Sequence, residues 1–138
     1  MSYAAIGLVL SALSVIIPSG CSSSAGDYEP YHVSGTIQYD GKPVPSGRID
    51  FFPDRSKGNQ GTAGYAVIHN GVFDTKERGK PTVGGFHRLV ITGLREDKQA
   101  SNVPDTQLVD MSLFPRYESE ADFESVDSDL NIVVPTSK

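Results

Sequence analysis

The stretch that decides the fold runs from Val33 to Pro53 and reads VSGTIQYDGKPVPSGRIDFFP. Apolar and polar residues alternate on both sides of a turn rich in glycine and proline, and a period of two is typical of β-strands with one buried face. The inward residues of this pattern are Val33, Ile37 and Tyr39 in the first strand and Ile49 and Phe51 in the second. The stretch therefore predicts an all-β fold.

Glycine and proline within this stretch predict local departures from regular strands. Gly35 interrupts the buried row of the first strand, which indicates a kink or a close approach by another backbone. Pro43 and Pro45 have no amide hydrogen, so we expect residues 42–46 at a sheet edge or in a loop. The second strand is predicted over Arg48 to Phe52.

Further alternating runs continue the β pattern to the end of the chain. Asn70-Gly71 separates two of them and favours the type I′ turn of a hairpin, because both residues tolerate positive φ. The additional strands are predicted over residues 62–69, 72–75, 86–94 and 130–134, with loop over 76–85. The residues expected in one shared core are Ile37, Phe51, Phe73 and Ile91. We therefore predict an antiparallel β-sandwich of about seven strands with almost no helix.

The run 86–94 is the longest of these strands, and both of its alternating sets contain apolar residues. This composition predicts a central strand with one face in the core and the other partly covered. His87 lies in the same alternating set as Leu89 and Ile91. No second histidine lies at ligand spacing, so we expect a hydrogen-bonded structural histidine there and not a metal ligand.

The motif V-S-G-T-I-x-Y-D-G-K-P-V-P-x-G-x-I-x-F-x-P resembles the opening of carboxypeptidase regulatory-like (transthyretin-like) domains, especially those of short bacterial lipoproteins that contain little else. The resemblance continues at residues 68–73 and 84–93 and at Phe114-Pro115-Arg116-Tyr117. It implies a prealbumin-like sandwich over most of residues 33–134. It also implies that the ring of Tyr117 packs inward and that its hydroxyl bonds to backbone.

The first thirty residues differ in composition from the rest of the chain. Residues 4–17 are apolar or small, which is the size of a signal-peptide core and short for a membrane span. The following Pro18-Ser19-Gly20-Cys21 resembles a bacterial lipobox. We therefore predict a signal peptide over 1–20, lipidation at Cys21, a flexible tether over 21–30 and the β-domain over 31–138. A plain N-terminal membrane anchor is the alternative.

Cys21 is the single cysteine of the chain, so an intramolecular disulfide is excluded. An exported protein with one thiol leaves it free, pairs it with another chain or modifies it, and the position of Cys21 favours modification. The predicted location is the cell envelope, where the lipid would hold the protein on the outer membrane or on the periplasmic face of a membrane.

Charge argues against one class of partner and raises one metal hypothesis. The formal net charge is −5, and the twelve basic residues are dispersed among seventeen acidic ones, which argues against nucleic-acid binding. Between residues 118 and 129 lie six carboxylates, Glu118, Glu120, Asp122, Glu124, Asp127 and Asp129. A solvated acidic connection is predicted, with a calcium site as the alternative, because the spacing matches no complete calcium loop.

Motifs that carry catalysis are missing from the sequence: there is no nucleophile elbow, no zinc spacing and no phosphate-binding glycine loop. We therefore expect no enzyme and no cofactor, and predict a structural or protein-interaction module with an envelope protein as partner. The first alternative is a carbohydrate- or peptide-binding module, with Tyr28, Tyr31 and Tyr65 as outward rings and glycan as a possible ligand. The remote alternative is a hydrolase of the transthyretin-like enzyme branch, whose Tyr-Arg-Gly-Ser tail does not occur in residues 131–138.

Overall fold

The computed structural model describes residues 28–95 and 111–136, and these residues are almost entirely β-structure. The strands are β1 (Val33–Tyr39), β2 (Lys42–Pro43), β3 (Ser46–Pro53), β4 (Gly64–His69), β5 (Val72–Asp74), β6 (Gly79–Lys80), β7 (Gly85–Leu94), β8 (Tyr117–Phe123) and β9 (Ser128–Val134). The helical parts are a 3₁₀ helix (Arg55–Lys57) and a single-turn α-helix, α1 (Thr75–Arg78). The prediction of an all-β fold is confirmed.

All nine strands belong to one hydrogen-bonded sheet. Its order is β2-β1-β5-β4-β3-β7-β8, with β6 beside β4 and β9 beside β1. The sheet curls into a half-barrel around one cluster of buried side chains. Every strand pair is antiparallel except β1 and β9, which are parallel. The prediction of antiparallel pairing is therefore wrong for β9, and the two-layered sandwich stays a prediction.

The parallel pair follows from where the chain returns to the sheet after β8. The backbone N–H of His32 donates to Asp127 Oδ1 (2.9 Å), and the N–H of Ser128 donates to the carbonyl oxygen of His32 (2.9 Å). These bonds fix the start of β9 beside the start of β1, so the two strands run in the same direction. Gly35 has φ +153°, and a Cβ there would overlap the carbonyl oxygen of Leu130. The predicted close approach of a second backbone to Gly35 is confirmed.

One cluster of buried side chains forms the core, and the four residues predicted for it are among its most deeply buried members. Ile37, Phe51, Phe73 and Ile91 are at most 1% exposed. The Phe51 ring lies 6.2 Å from the ring of Phe73 and 5.9 Å from the ring of Phe123, measured between centroids. Strands from distant parts of the chain therefore meet at Phe51.

The turn at Asn70-Gly71 has the positive φ values expected of a type I′ hairpin, +49° and +76°. The prediction of loop over 76–85 is wrong in part, because α1 and β6 lie there. Asp74 begins α1 as its N-cap: its side chain accepts from the N–H of Lys76 (2.7 Å). A local cap and the pairing of β6 with β4 thus order a segment that shows no periodicity in sequence.

The acidic segment is also more ordered than predicted. Its first half is β8, whose Glu118, Glu120 and Asp122 point outward because they alternate with half-buried residues. The prediction of an acidic connection is therefore wrong for 118–123 and for Asp129, which lies in β9, and holds for 124–127. The ring of Tyr117, at the start of β8, packs against the core as the family resemblance implies. The bond from its hydroxyl stays a prediction.

Adjacent phenylalanines on β3 provide a matched test of the core. Phe51 is fully buried and Phe52 is 36% exposed. We expect Phe51→Ala to lower the free energy of unfolding by about 3–5 kcal/mol, because it leaves a cavity where three rings meet. Phe52→Ala should cost well under half as much. Chemical denaturation followed by circular dichroism measures both, and equal losses would contradict the assignment of faces.

Candidate functional site

The face of the sheet turned away from the core carries rings and charges where β4, β3, β7 and β8 lie side by side. The register places Asp50 opposite Tyr65, Phe52 opposite Arg88, and Arg88 opposite Glu120. Directly opposite residues share one face of a sheet. We call this surface the outer face; it consists of Arg48, Asp50, Phe52, Tyr65, Phe86, Arg88, Glu118 and Glu120, together with Lys57 from the adjoining 3₁₀ helix.

Each aromatic ring of the outer face lies beneath a cation. The distances to the ring centroid are 4.1 Å for Arg48 Cζ over Tyr65, 5.1 Å for Lys57 Nζ over Phe86 and 5.5 Å for Arg88 Cζ over Phe52. All three lie within the range of cation–π attraction. Each ring therefore has one face occupied by a cation.

Each of these cations also contacts a carboxylate. The N···O distances are 2.7 Å for Arg48–Asp50, 2.7 Å for Lys57–Glu120 and 3.4 Å for Arg88–Glu118. The hydrogen bond from Lys57 to Glu120 raises the pKa of Lys57 above its ordinary value, so the ammonium stays charged. Exposed ion pairs of this kind add little to fold stability. Their effect is to hold the side chains in one arrangement, which reduces the entropy lost when a partner binds.

The loop that delivers Lys57 to the outer face is held in place. Asp54 caps the 3₁₀ helix by accepting from the N–H and the hydroxyl of Ser56, and the side-chain bond lowers the pKa of Asp54. Asn59, only 8% exposed, donates from Nδ2 to the carbonyl oxygens of Gly84 and Phe86 (3.0 Å each). A segment whose glycines suggest mobility in sequence is thus fixed to β7.

A shallow groove of about 330 Å³ opens beside this loop. Its walls include Phe52, Asp54, Arg55, Ser56, Arg88 and Glu120. The groove presents one ring, both signs of charge and a hydroxyl in an open setting. Of the residues the structure describes, no group of three or more His, Cys, Asp and Glu side chains is placed to hold a metal ion. The calcium alternative therefore finds no support in residues 118–129.

Of the three tyrosines predicted to point outward, only Tyr65 belongs to the outer face. Tyr28 is 48% exposed, and Tyr31 is half-buried where its backbone exchanges hydrogen bonds with Thr82. The sequence interpretation of binding rings missed Phe52 and Phe86. The signal that could have found them is the alternation itself, since each neighbours a core residue and therefore points outward.

His87 is a buried structural histidine, as predicted. It is 1% exposed, and its ring packs edge-on against Phe123 at 5.1 Å. Nδ1 donates to the carbonyl oxygen of Gly85 (2.7 Å), because a carbonyl can only accept. The neutral ring thus carries its proton on Nδ1, and Nε2 accepts from the Thr82 hydroxyl (2.8 Å). Burial lowers the pKa of His87, against smaller opposing effects of the Gly85 bond and the Asp122 charge.

This depressed pKa predicts acid sensitivity of the fold. Below the usual histidine value of 6.5, the unfolded chain gains a proton at residue 87 before the folded chain does. The free energy of unfolding should therefore be constant above pH 6.5 and fall below it, by at most about 1.4 kcal/mol per pH unit for one proton, until the folded pKa is passed. Denaturation between pH 7.5 and 5.5 measures this slope. His87→Gln should flatten it and His69→Gln should not; a slope unchanged in His87→Gln would assign it to other groups.

No protein-family model, no curated protein and no solved structure matches the chain. The structure shows an all-β domain whose outer face combines aromatic rings with paired cations and carboxylates. In the described part of the chain no helix is long and apolar enough to cross a membrane. The predicted signal peptide, Cys21 and most of the tether lie outside the described residues.

Proposed function

We propose that this chain is an exported, lipid-anchored protein of the cell envelope whose β-domain binds a protein partner through the outer face, without catalysis and without a cofactor. The observation that supports this function is the set of three ring–cation pairs on one side of the sheet. Arginine and aromatic residues are enriched among the residues that contribute most to protein interfaces. Preordered side chains of both kinds favour the same role.

The cations stacked on the aromatic rings favour a protein partner over a sugar. Carbohydrate platforms need a free aromatic face on which a sugar can stack, and a cation occupies one face of each of these three rings. A peptide- or carbohydrate-binding module is the second candidate, and the groove beside Arg55 and Ser56 favours it. No observation favours the hydrolase alternative.

The family assignment belongs to the same proposal. We propose that the half-barrel is a prealbumin-like sandwich of the carboxypeptidase regulatory-like type. Three observations support it: β1 and β3 coincide with the quoted motif, the core takes its inward residues from that motif, and the Tyr117 ring packs against the core.

The membrane anchor is proposed from the sequence of the N-terminal region. An uncharged apolar run ends in small residues at the only cysteine, and a polar segment without periodicity follows. One acyl chain binds a membrane marginally, whereas two or three chains anchor it stably at ~0.8 kcal/mol per buried methylene. Lipidation at Cys21 would therefore hold the protein on the membrane without a transmembrane helix.

Charge reversal on the outer face tests partner binding. Full-length protein carrying Arg88→Glu or Phe86→Ala should retain at least about tenfold less of its partner from envelope extract, since residues of this type contribute 2 kcal/mol or more at interface centres. Lys76→Glu makes the same charge change on exposed α1 and should bind like the unaltered protein. Quantitative mass spectrometry of the retained proteins is the measurement. Equal retention by all variants would contradict a role of the outer face, and retention on purified glycan strands would favour the second candidate.

Replacement of the cysteine tests the anchor. In cells, the unaltered chain should fractionate with membranes and have a mature N-terminus at residue 21 with the mass of attached acyl chains. Cys21→Ala should abolish that mass and move the protein out of the lipidated fraction, whereas Ser22→Ala should leave both properties intact. An unmodified Cys21 behind an intact leader would contradict lipidation and favour a plain anchor.

A further inference from the structure

The two long edges of the sheet differ in how well they resist association. In the described residues, β8 pairs only with β7 and β9 pairs only with β1. Natural sheets protect exposed edges with charges, proline or very short strands. The short β2 contains Pro43, and β8 carries carboxylates at Glu118, Glu120 and Asp122. β9 spans seven residues with one charge, and its Val133 is 63% exposed.

The parallel ladder determines which backbone groups of β9 are available at this edge. The N–H of Ser128 donates toward β1, to the carbonyl oxygen of His32. In a parallel pair, alternate residues direct both backbone groups to the same side. The backbone N–H and C=O groups therefore point toward β1 at residues 128, 130, 132 and 134. Asp129, Asn131 and Val133 direct their N–H and C=O groups to the free edge, which presents three donors and three acceptors.

We propose that this edge pairs with β9 of a second copy of the chain, antiparallel and centred on Asn131. In this register Asn131 lies opposite Asn131 of the second copy, and Asp129 lies opposite its Val133. Every residue with outward backbone groups then meets another such residue, which gives about six backbone hydrogen bonds between the copies. The nine-stranded sheets of the two copies would continue into each other across a two-fold axis.

The charges of the two edges favour β9 over β8 for self-pairing. Centring on Asn131 places the two Asp129 residues four positions apart along the paired strands, so neither faces another carboxylate. The corresponding pairing of β8 would set Glu120 against Glu120, and Glu118 against Asp122. Like charges directly opposite each other destabilise an antiparallel pair.

The same register would also bury apolar side chains on the core-facing side of β9. Leu130 and Ile132 pack against the core yet stay partly exposed, because the half-barrel ends at this strand. Leu130 of one copy would lie opposite Ile132 of the other, so each covers the other from water.

A single strand pair is smaller than the ~800 Å² per partner of standard interfaces. The dimer should therefore be reversible and depend on concentration. The pairing does not depend on the proposed function, although anchoring in one membrane would raise the effective concentration of the copies.

The sign of a charge placed at residue 133 tests the register. Sedimentation equilibrium of the full-length protein in density-matched detergent should show a monomer whose mass doubles as concentration rises. Val133→Glu sets two carboxylates against Asp129 and should raise the dimer dissociation constant by at least about tenfold. Val133→Lys places opposite charges there and should not weaken the dimer. Val126→Glu is the control, because Val126 is exposed (54%) in the turn before β9.

Engineered cysteines test the same geometry independently of affinity. Opposed residues of a hydrogen-bonded antiparallel pair have Cα atoms about 5.5 Å apart, which a disulfide can span. In a Cys21→Ser background, Asn131→Cys should give a covalent dimer on mild oxidation. Val133→Cys alone should not, but should cross-link to Asp129→Cys when the two are mixed.

Three outcomes would overturn the inference: a monomer at every concentration, equal weakening by Glu and Lys at residue 133, or no preference for cross-linking at residue 131. Circular dichroism of each variant checks that the fold persists. Arg88→Glu on the outer face should leave the dimer unchanged. A failure of self-pairing is thereby distinguishable from a failure of the proposed partner binding.

Discussion

The antiparallel ladder between β3 and β7 is the interaction on which the rest of the structure depends. It pairs Ile49 with Ile91 and Phe51 with Leu89, so the deepest part of the core is built from directly opposed side chains. Because side chains alternate across a strand, burying Phe51 on the inside places Phe52 on the outside. One register thus sets both the core and the position of the candidate binding face.

The outer face shows how an exposed surface can be ordered without being buried. Its rings, cations and carboxylates come from four strands and one loop, and each cation contacts both a ring and an acid. Such contacts are weak singly when exposed to water. Together they limit the conformations of long side chains, which is more relevant to recognition than to stability. The loop bearing Lys57 is held beside β7 by the side chain of Asn59 and by the backbone bond from Asp54 to Phe86.

The parallel return of β9 has consequences at the opposite end of the sheet. It depends on backbone bonds at His32 and on the lack of a side chain at Gly35, where Leu130 approaches closely. The pairing leaves β9 as an edge whose backbone groups are unpaired on one side within residues 28–95 and 111–136. The outer face and this edge lie on different strands, so partner binding and self-association can be separated by mutation.

The sequence by itself determined most of the strand positions, although not β6 or β8, together with the Asn70-Gly71 turn and the core rows, because these depend on alternation and on local backbone preferences. The same alternation also implies that the side chains of Phe52 and Phe86 point outward. Only the tertiary structure decided the parallel direction of β9, the cap at Asp74 that begins α1, and the ring–cation pairs of the outer face. The contact between Lys57 and Glu120 joins residues 63 positions apart, and no local sequence pattern can indicate a contact across that separation. Contacts of this kind exist only after β7 has aligned β3 with β8.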